Sequence, residues 1–94
     1  MRNIKNKEEI TIDFPNNSLV AIIVGNHSIN ITKLEKLLDV SINLFGNQFN
    51  ISGEPKEIYL TKTIITNVYT KLSNEKSNNI NFNFVDFETE LRML

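Results

Sequence analysis

Two runs of alternating apolar residues meet at Gly46-Asn47. Val40, Ile42 and Leu44 precede that pair, and Phe49 and Ile51 follow it. Ser41, Asn43, Gln48, Asn50 and Ser52 fill the alternate positions. Period-two alternation on both sides of a Gly-Asn pair is the signal of a β-hairpin. The middle of the chain is therefore β, and whatever flanks it must pack on that hairpin.

A further strand is expected near the start. Ile10, Ile12 and Phe14 alternate with Thr11 and Asp13, and Pro15 stops the run. Leu19 to Val24 is a run of six apolar residues that suits either a buried strand or a short buried helix. Asn16, Asn17 and Ser18 before it are good helix caps, and Gly25 after it supplies a left-handed stop, so a helix is favoured. A second helix follows, with Asn30 or Ser28 as its cap. Ile31, Leu34, Leu37 and Leu38 lie on its apolar face, and Asp39 ends it. Beyond the hairpin, Gly53-Glu54-Pro55 opens a long helix with Pro55 at the first position. Its buried stripe is Ile58, Thr61, Ile65, Val68, Tyr69 and Leu72. Residues 73–79 read as a polar loop. Ile80, Phe82 and Phe84 alternate as a short strand or extended segment, and Asp86 can cap a last helical turn from Phe87 to Leu94. That helix has no stop signal, which suggests a truncated product.

The expected fold class is α+β: a two-layer β-α-α-β-β-α domain, its three-stranded antiparallel-type sheet covered on one face by three helices, plus a C-terminal extension. A chain of 94 residues holds one small domain. The boundaries are a flexible leader at 1–7, the domain at 8–74 and the extension at 75–94. The net charge of −1 speaks against nucleic-acid binding by bulk charge, although a local basic face is compatible with it. The chain has no Cys, which excludes disulfides and thiol chemistry, and its single His27 excludes any site needing two histidines. No apolar run reaches membrane-spanning length and no secretory signal is seen, so a cytoplasmic protein is expected. The 15 Asn and 13 Ile residues are spread along the chain and read as a base-composition bias of the source genome, not a prion-like tract.

The order of elements, with a Gly-led turn between the first two helices, resembles the K-homology arrangement of type I topology. That fold clamps single-stranded nucleic-acid backbone at a GXXG loop between those helices. Here the loop is Gly25-Asn26-His27-Ser28, with Ser in place of the last Gly. A more specific resemblance covers residues 10–92. Asn30-Ile-Thr-Lys-Leu-Glu35, Val40-Ser-Ile-Asn-Leu-Phe-Gly-Asn47 and Phe49-Asn-Ile-Ser-Gly53 follow in the order of similar segments in the N-terminal region of PhoH-like, phosphate-starvation-inducible proteins. The tail from Ile80 to Met93 resembles that family's approach to its ATPase domain. Phe45 stands where the family often has Arg.

The resemblance implies an accessory N-terminal domain of an ATP-binding protein of RNA metabolism. ATP and Mg belong to the family's C-terminal P-loop domain. This sequence has no G-x-x-x-x-G-K-[ST], its glycines being Gly25, Gly46 and Gly53 alone, so no cofactor and no enzymatic activity carry over to it. The implied partners are single-stranded RNA, the ATPase domain, a second copy of the chain and a YbeY-type endoribonuclease, with no membrane among them.

The residues suggested for nucleic-acid binding are Gly25, Asn26, His27, Ser28, Asn30 and Lys33. Backbone amides opening the second helix point outward at the positive end of its dipole, which suits a phosphate. Lys33 and Lys36 add attraction, and His27 can stack on a base or meet a phosphate. The plainer reading is a helix–loop–helix turn with Gly for the bend and Asn30 for the cap. Asn43, Gln48 and Asn50 on the hairpin can read base edges or simply face solvent. Glu54 with Glu57, and Glu88 with Glu90, have no His, Cys or Tyr spaced to complete an acid/base or metal set, and fit helix starts instead. Phe82, Phe84 and Phe87 either pack on the sheet or mark a contact surface. The alternative function is a protein–protein assembly domain that has kept the fold and lost the ligand.

Overall fold

The computed structural model describes residues 7–75 and 80–94. The leader expected at 1–7 lies outside the described residues except for Lys7, and so does most of the polar loop expected at 73–79. The elements are β1 (Glu8–Asp13), α1 (Asn17–Val24), a single 3₁₀ turn (Asn26–Ser28), α2 (Ile29–Leu38), β2 (Ser41–Phe45), β3 (Gln48–Gly53), α3 (Pro55–Ser73) and α4 (Val85–Arg92). This is the expected α+β domain in β-α-α-β-β-α order, with α4 added after it.

The hairpin forms as its sequence dictates. Phe45 pairs with Gln48 across Gly46-Asn47, and Gly46 alone of the two takes a positive φ, at 62°, the type II′ pattern. β1 then pairs antiparallel with the far side of β3, so the sheet order is β1-β3-β2 and β3 is central. Asn47 extends this pairing one step, its carbonyl accepting from the Phe14 amide at 3.2 Å and its side chain donating to the Phe14 carbonyl.

Alternation sorts the sheet into two faces. Ile10, Ile12, Ile42, Leu44, Phe49 and Ile51 turn to the helices, with Phe49 and Ile51 fully buried. Glu9, Thr11, Asn43, Gln48 and Asn50 occupy the opposite face. There the Asn50 amide donates to Glu9 at 2.9 Å and to Thr11 at 3.3 Å.

On the helical side, α1 is a helix and not a strand because Asn16 caps it. The Asn16 side-chain oxygen Oδ1 accepts from Leu19 N at 3.1 Å, while the Asn16 backbone N–H donates to the Tyr69 hydroxyl at 3.0 Å. Leu19, Val20 and Ile23 face inward. In α2, Glu35 turns towards the sheet, and its carboxylate accepts from Ile42 N at 2.8 Å, fixing where β2 begins. Asp39, at φ 57°, ends α2 as expected. The α3 stripe gains Ile64, which is fully buried, while Tyr69 is half-buried and stacks on Phe14 with ring centroids 4.4 Å apart. Buried Thr61 satisfies its hydroxyl by donating to the Glu57 carbonyl at 2.7 Å.

Two expectations at the C-terminal end need correction. Of the short strand or extended segment expected at 80–84, the strand does not form: residues 80–83 pair with no strand. Their alternating rings turn instead onto Phe87, with centroid distances of 5.1 Å for Phe82 and 5.7 Å for Phe84, both edge-to-face. Asp86 is not the cap of α4 but sits within its first turn, where its carboxylate accepts from Asn83 N at 3.0 Å. Phe87 is fully buried in the core, and α4 packs along α3. Among the described residues α4 is thus a fourth α-helix, added in the C-terminal extension and packed on α3. No helix among them is long and apolar enough to cross a membrane.

Candidate nucleic-acid interface

The turn from α1 to α2 rests on Gly25. Its φ of 80° and ψ of 171° fall in a region essentially reserved for glycine. Its amide closes α1 by donating to the Ala21 carbonyl at 3.0 Å. A Cβ here would meet the Asn30 side-chain nitrogen at 2.7 Å. That nitrogen occupies the space because it donates to the Ile23 carbonyl at 3.1 Å, tying the start of α2 to the end of α1. Asn30 thus works as a staple under the loop and does not cap its own helix.

Ser28 does not cap α2 either. It sits at the cap position with φ 56° and ψ 30°, and its hydroxyl makes no capping bond. A capping hydroxyl needs an extended backbone to reach the first-turn amides, which the left-handed conformation denies it. Both residues expected to cap α2 are therefore engaged otherwise. The helix opens without a side-chain acceptor on its first-turn amides, beside a loop in which Asn26 and His27 are exposed. His27 also adopts positive φ, at 54°, so two non-glycine residues in a row are left-handed, each costing about 1–2 kcal/mol. Ser28 holds a left-handed backbone that glycine would adopt without strain. Ser28→Gly should accordingly stabilise the chain by about 0.5–1 kcal/mol, relief of strain outweighing the entropy of an added glycine, and a higher urea midpoint reads this out.

Lys33 is exposed one turn into α2, with its ammonium 5.5 Å from the centre of the Phe84 ring. An exposed cation–π contact of this kind is worth about 0.5–1 kcal/mol. The contact marks an open groove of ≈ 560 Å³ between two walls. Ile22, Gly25, Ile29 and Lys33 form one wall, and Phe82 and Phe84 form the other. Five of the six suggested residues, Gly25, Asn26, His27, Ser28 and Lys33, thus share one corner, with Asn30 beneath it. Ile22, Ile29, Phe82 and Phe84 are members of this corner that sequence reasoning missed. One signal was available: residues 14–34 contain no Asp or Glu in a chain with 11 of them, so this corner is free of nearby carboxylates in its own segment.

Asn43, Gln48 and Asn50 lie on the open sheet face, and the Asn50 donors are taken by Glu9 and Thr11. Glu90 is no helix-start carboxylate. It is buried between α4 and α3, where it pairs with the Lys71 ammonium and accepts from the Asn67 amide at 3.1 Å. The Lys71 hydrogen bond, helped by Asn67, holds the Glu90 carboxyl below its ordinary value against the opposing push of burial. A depressed carboxyl stabilises the fold above the unfolded-state value of about 4.3 and loses that contribution as pH falls through the folded-state value. The amides of α4 should thus lose hydrogen-exchange protection below about pH 4.3, and Glu90→Gln should flatten that acid limb. Among the described residues, no group of three or more His, Asp or Glu side chains gathers as a metal site.

Compared with known proteins, the chain matches no family model, no curated protein and no solved structure.

Proposed function

We propose that this chain is a nucleic-acid-binding module that docks the backbone of single-stranded RNA at the loop between α1 and α2. The observation that carries the reading is the uncapped start of α2, with Ser28 left-handed and Asn30 turned back onto α1. The Ile29 amide donates to the Asn26 carbonyl, but no side chain caps the first turn, and uncapped first-turn amides at the positive end of a helix dipole suit a phosphate oxygen. The exposed Asn26 and His27 and the ammonium of Lys33 supply further donors around that point. Backbone capture, not base reading, is the mechanism at the loop itself. The wider role that fits it is the accessory N-terminal domain of a PhoH-like ATP-binding protein of RNA metabolism, with ATP chemistry in a separate domain. For the assembly-domain alternative, Phe87 is spent in the core and is not offered to a partner, whereas Phe45, Tyr59 and Val85 remain exposed.

Two or three phosphate contacts give weak binding with a log–log salt slope of about −1.4 to −2.1, at ~0.7 per contact on a single strand. An NMR titration with a short oligouridylate should move the amides of Gly25, Asn26, His27 and Ser28. Amides that stay in place at millimolar oligomer overturn the reading.

A further inference from the structure

We infer that Phe84 is a stacking platform for one RNA base, placed in the groove so that the strand held at the loop sets a nucleobase on its ring. The inference deepens the proposed backbone docking and rests on it.

Three observations bring the base to Phe84. First, the ring is held in place from behind. It meets Phe87 edge-to-face at 5.7 Å and 71°, and Phe87 is itself fully buried, so the platform is built before any ligand arrives. Second, the ring face looks into the groove, because what lies over it there is the ammonium of Lys33 on an exposed, flexible stem. A lysine on an exposed ring is held weakly, and a stacked base is held more strongly, so the base takes the ring face and the lysine swings aside. Third, the groove runs past Gly25 and Asn26, so phosphate site and ring belong to one continuous surface.

Charge decides the occupant. Lys33 is the one charged side chain among the groove-lining residues. Asp86, two residues past Phe84, lines the neighbouring cavity and accepts from the Asn83 backbone N–H. A ligand with a flat apolar face and an anionic link fits such a groove, and a nucleotide unit of single-stranded RNA has both. On arrival of the base, the freed Lys33 ammonium reaches that nucleotide's phosphate. The amide groups of Asn26 and Asn83 at the rim can hydrogen-bond any base, which predicts little sequence preference.

The test titrates the full chain with a short oligouridylate and with an abasic strand of equal length and phosphate number. Both should shift the loop amides, but the base-bearing strand should bind about five- to tenfold more tightly and should also move the Phe84 ring resonances upfield. Phe84→Leu keeps an apolar side chain against Phe87 and should bring the two strands to equal affinity. Equal affinity of both strands for the unaltered chain overturns the stacking inference while the backbone reading stands, and it needs no variant. An unchanged affinity difference in Phe84→Leu overturns it too. Phe82 and Phe84 resonances that broaden with protein concentration before any oligomer is added assign the groove to a second copy instead. If neither strand moves the loop amides, the backbone reading falls, and the stacking inference with it.

Discussion

Phe87→Ala is expected to cost about 3–5 kcal/mol, the usual range for emptying a buried aromatic site. The ring is fully buried, and both Phe82 and Phe84 rest against it edge-to-face. Its removal opens a cavity and withdraws the support of two further rings. Domains hold only about 0.05–0.15 kcal/mol per residue, so this single change takes a large part of the total. Urea denaturation should show the loss as a lower midpoint. The α4 amides should lose exchange protection before those of β3, because α4 is held through α3 while β3 is paired on both sides. An unfolding free energy within about 0.5 kcal/mol of the unaltered chain's would contradict the placement of α4 in the core.

Gly25→Val is expected to cost about 2–4 kcal/mol through two separate effects. The backbone conformation at Gly25 is nearly closed to residues with a side chain, at about 1–3 kcal/mol. A Cβ would also lie 2.7 Å from the Asn30 nitrogen and 3.0 Å from Ile29 Cγ2, forcing Asn30 off the Ile23 carbonyl. That hydrogen bond is worth about 0.5–1.5 kcal/mol net. Asn30→Ala removes only the second effect. A double-mutant cycle should then show that Gly25→Val costs less in the Asn30→Ala background, since the hydrogen bond can be lost only once. Strictly additive costs would mean that the staple and the turn act independently.

Most of the fold was legible because its signals are local. Gly46-Asn47 sets the hairpin, Asn16 sets the start of α1, Pro55 opens α3 and Asp39 ends α2, and each acts within a few residues of itself. The misreadings came where a local pattern had two physical meanings. The alternating rings at 82 and 84 matched a strand, yet the described segment lies against the helical layer, so the rings turn onto Phe87 in place of pairing with an edge. Asn30 matched a helix cap, but the left-handed pair before it reverses the chain so tightly that its side chain meets the end of α1 first. Glu90 matched a helix-start acid because its partner Lys71 is on another helix, 19 residues away. At the candidate interface, the loop was legible from Gly25 and the residues after it. The opposing wall was not, since no local rule brings Phe84 beside Lys33.

The pairing of β1 with β3 bears on how the chain is made. Residues from Asp13 opposite Gln48 to Glu8 opposite Gly53 are paired, so the first strand waits for partners 35 to 45 positions later. At ribosomal speeds of about 5–20 residues per second, that wait is roughly 2–9 seconds. During it, the nascent chain exposes Ile10, Ile12 and Phe14 with nothing to cover them. The buried ring of Phe87 is made later still, so the packing of α4 on α3 is sealed only after the sheet and α3 have been synthesised.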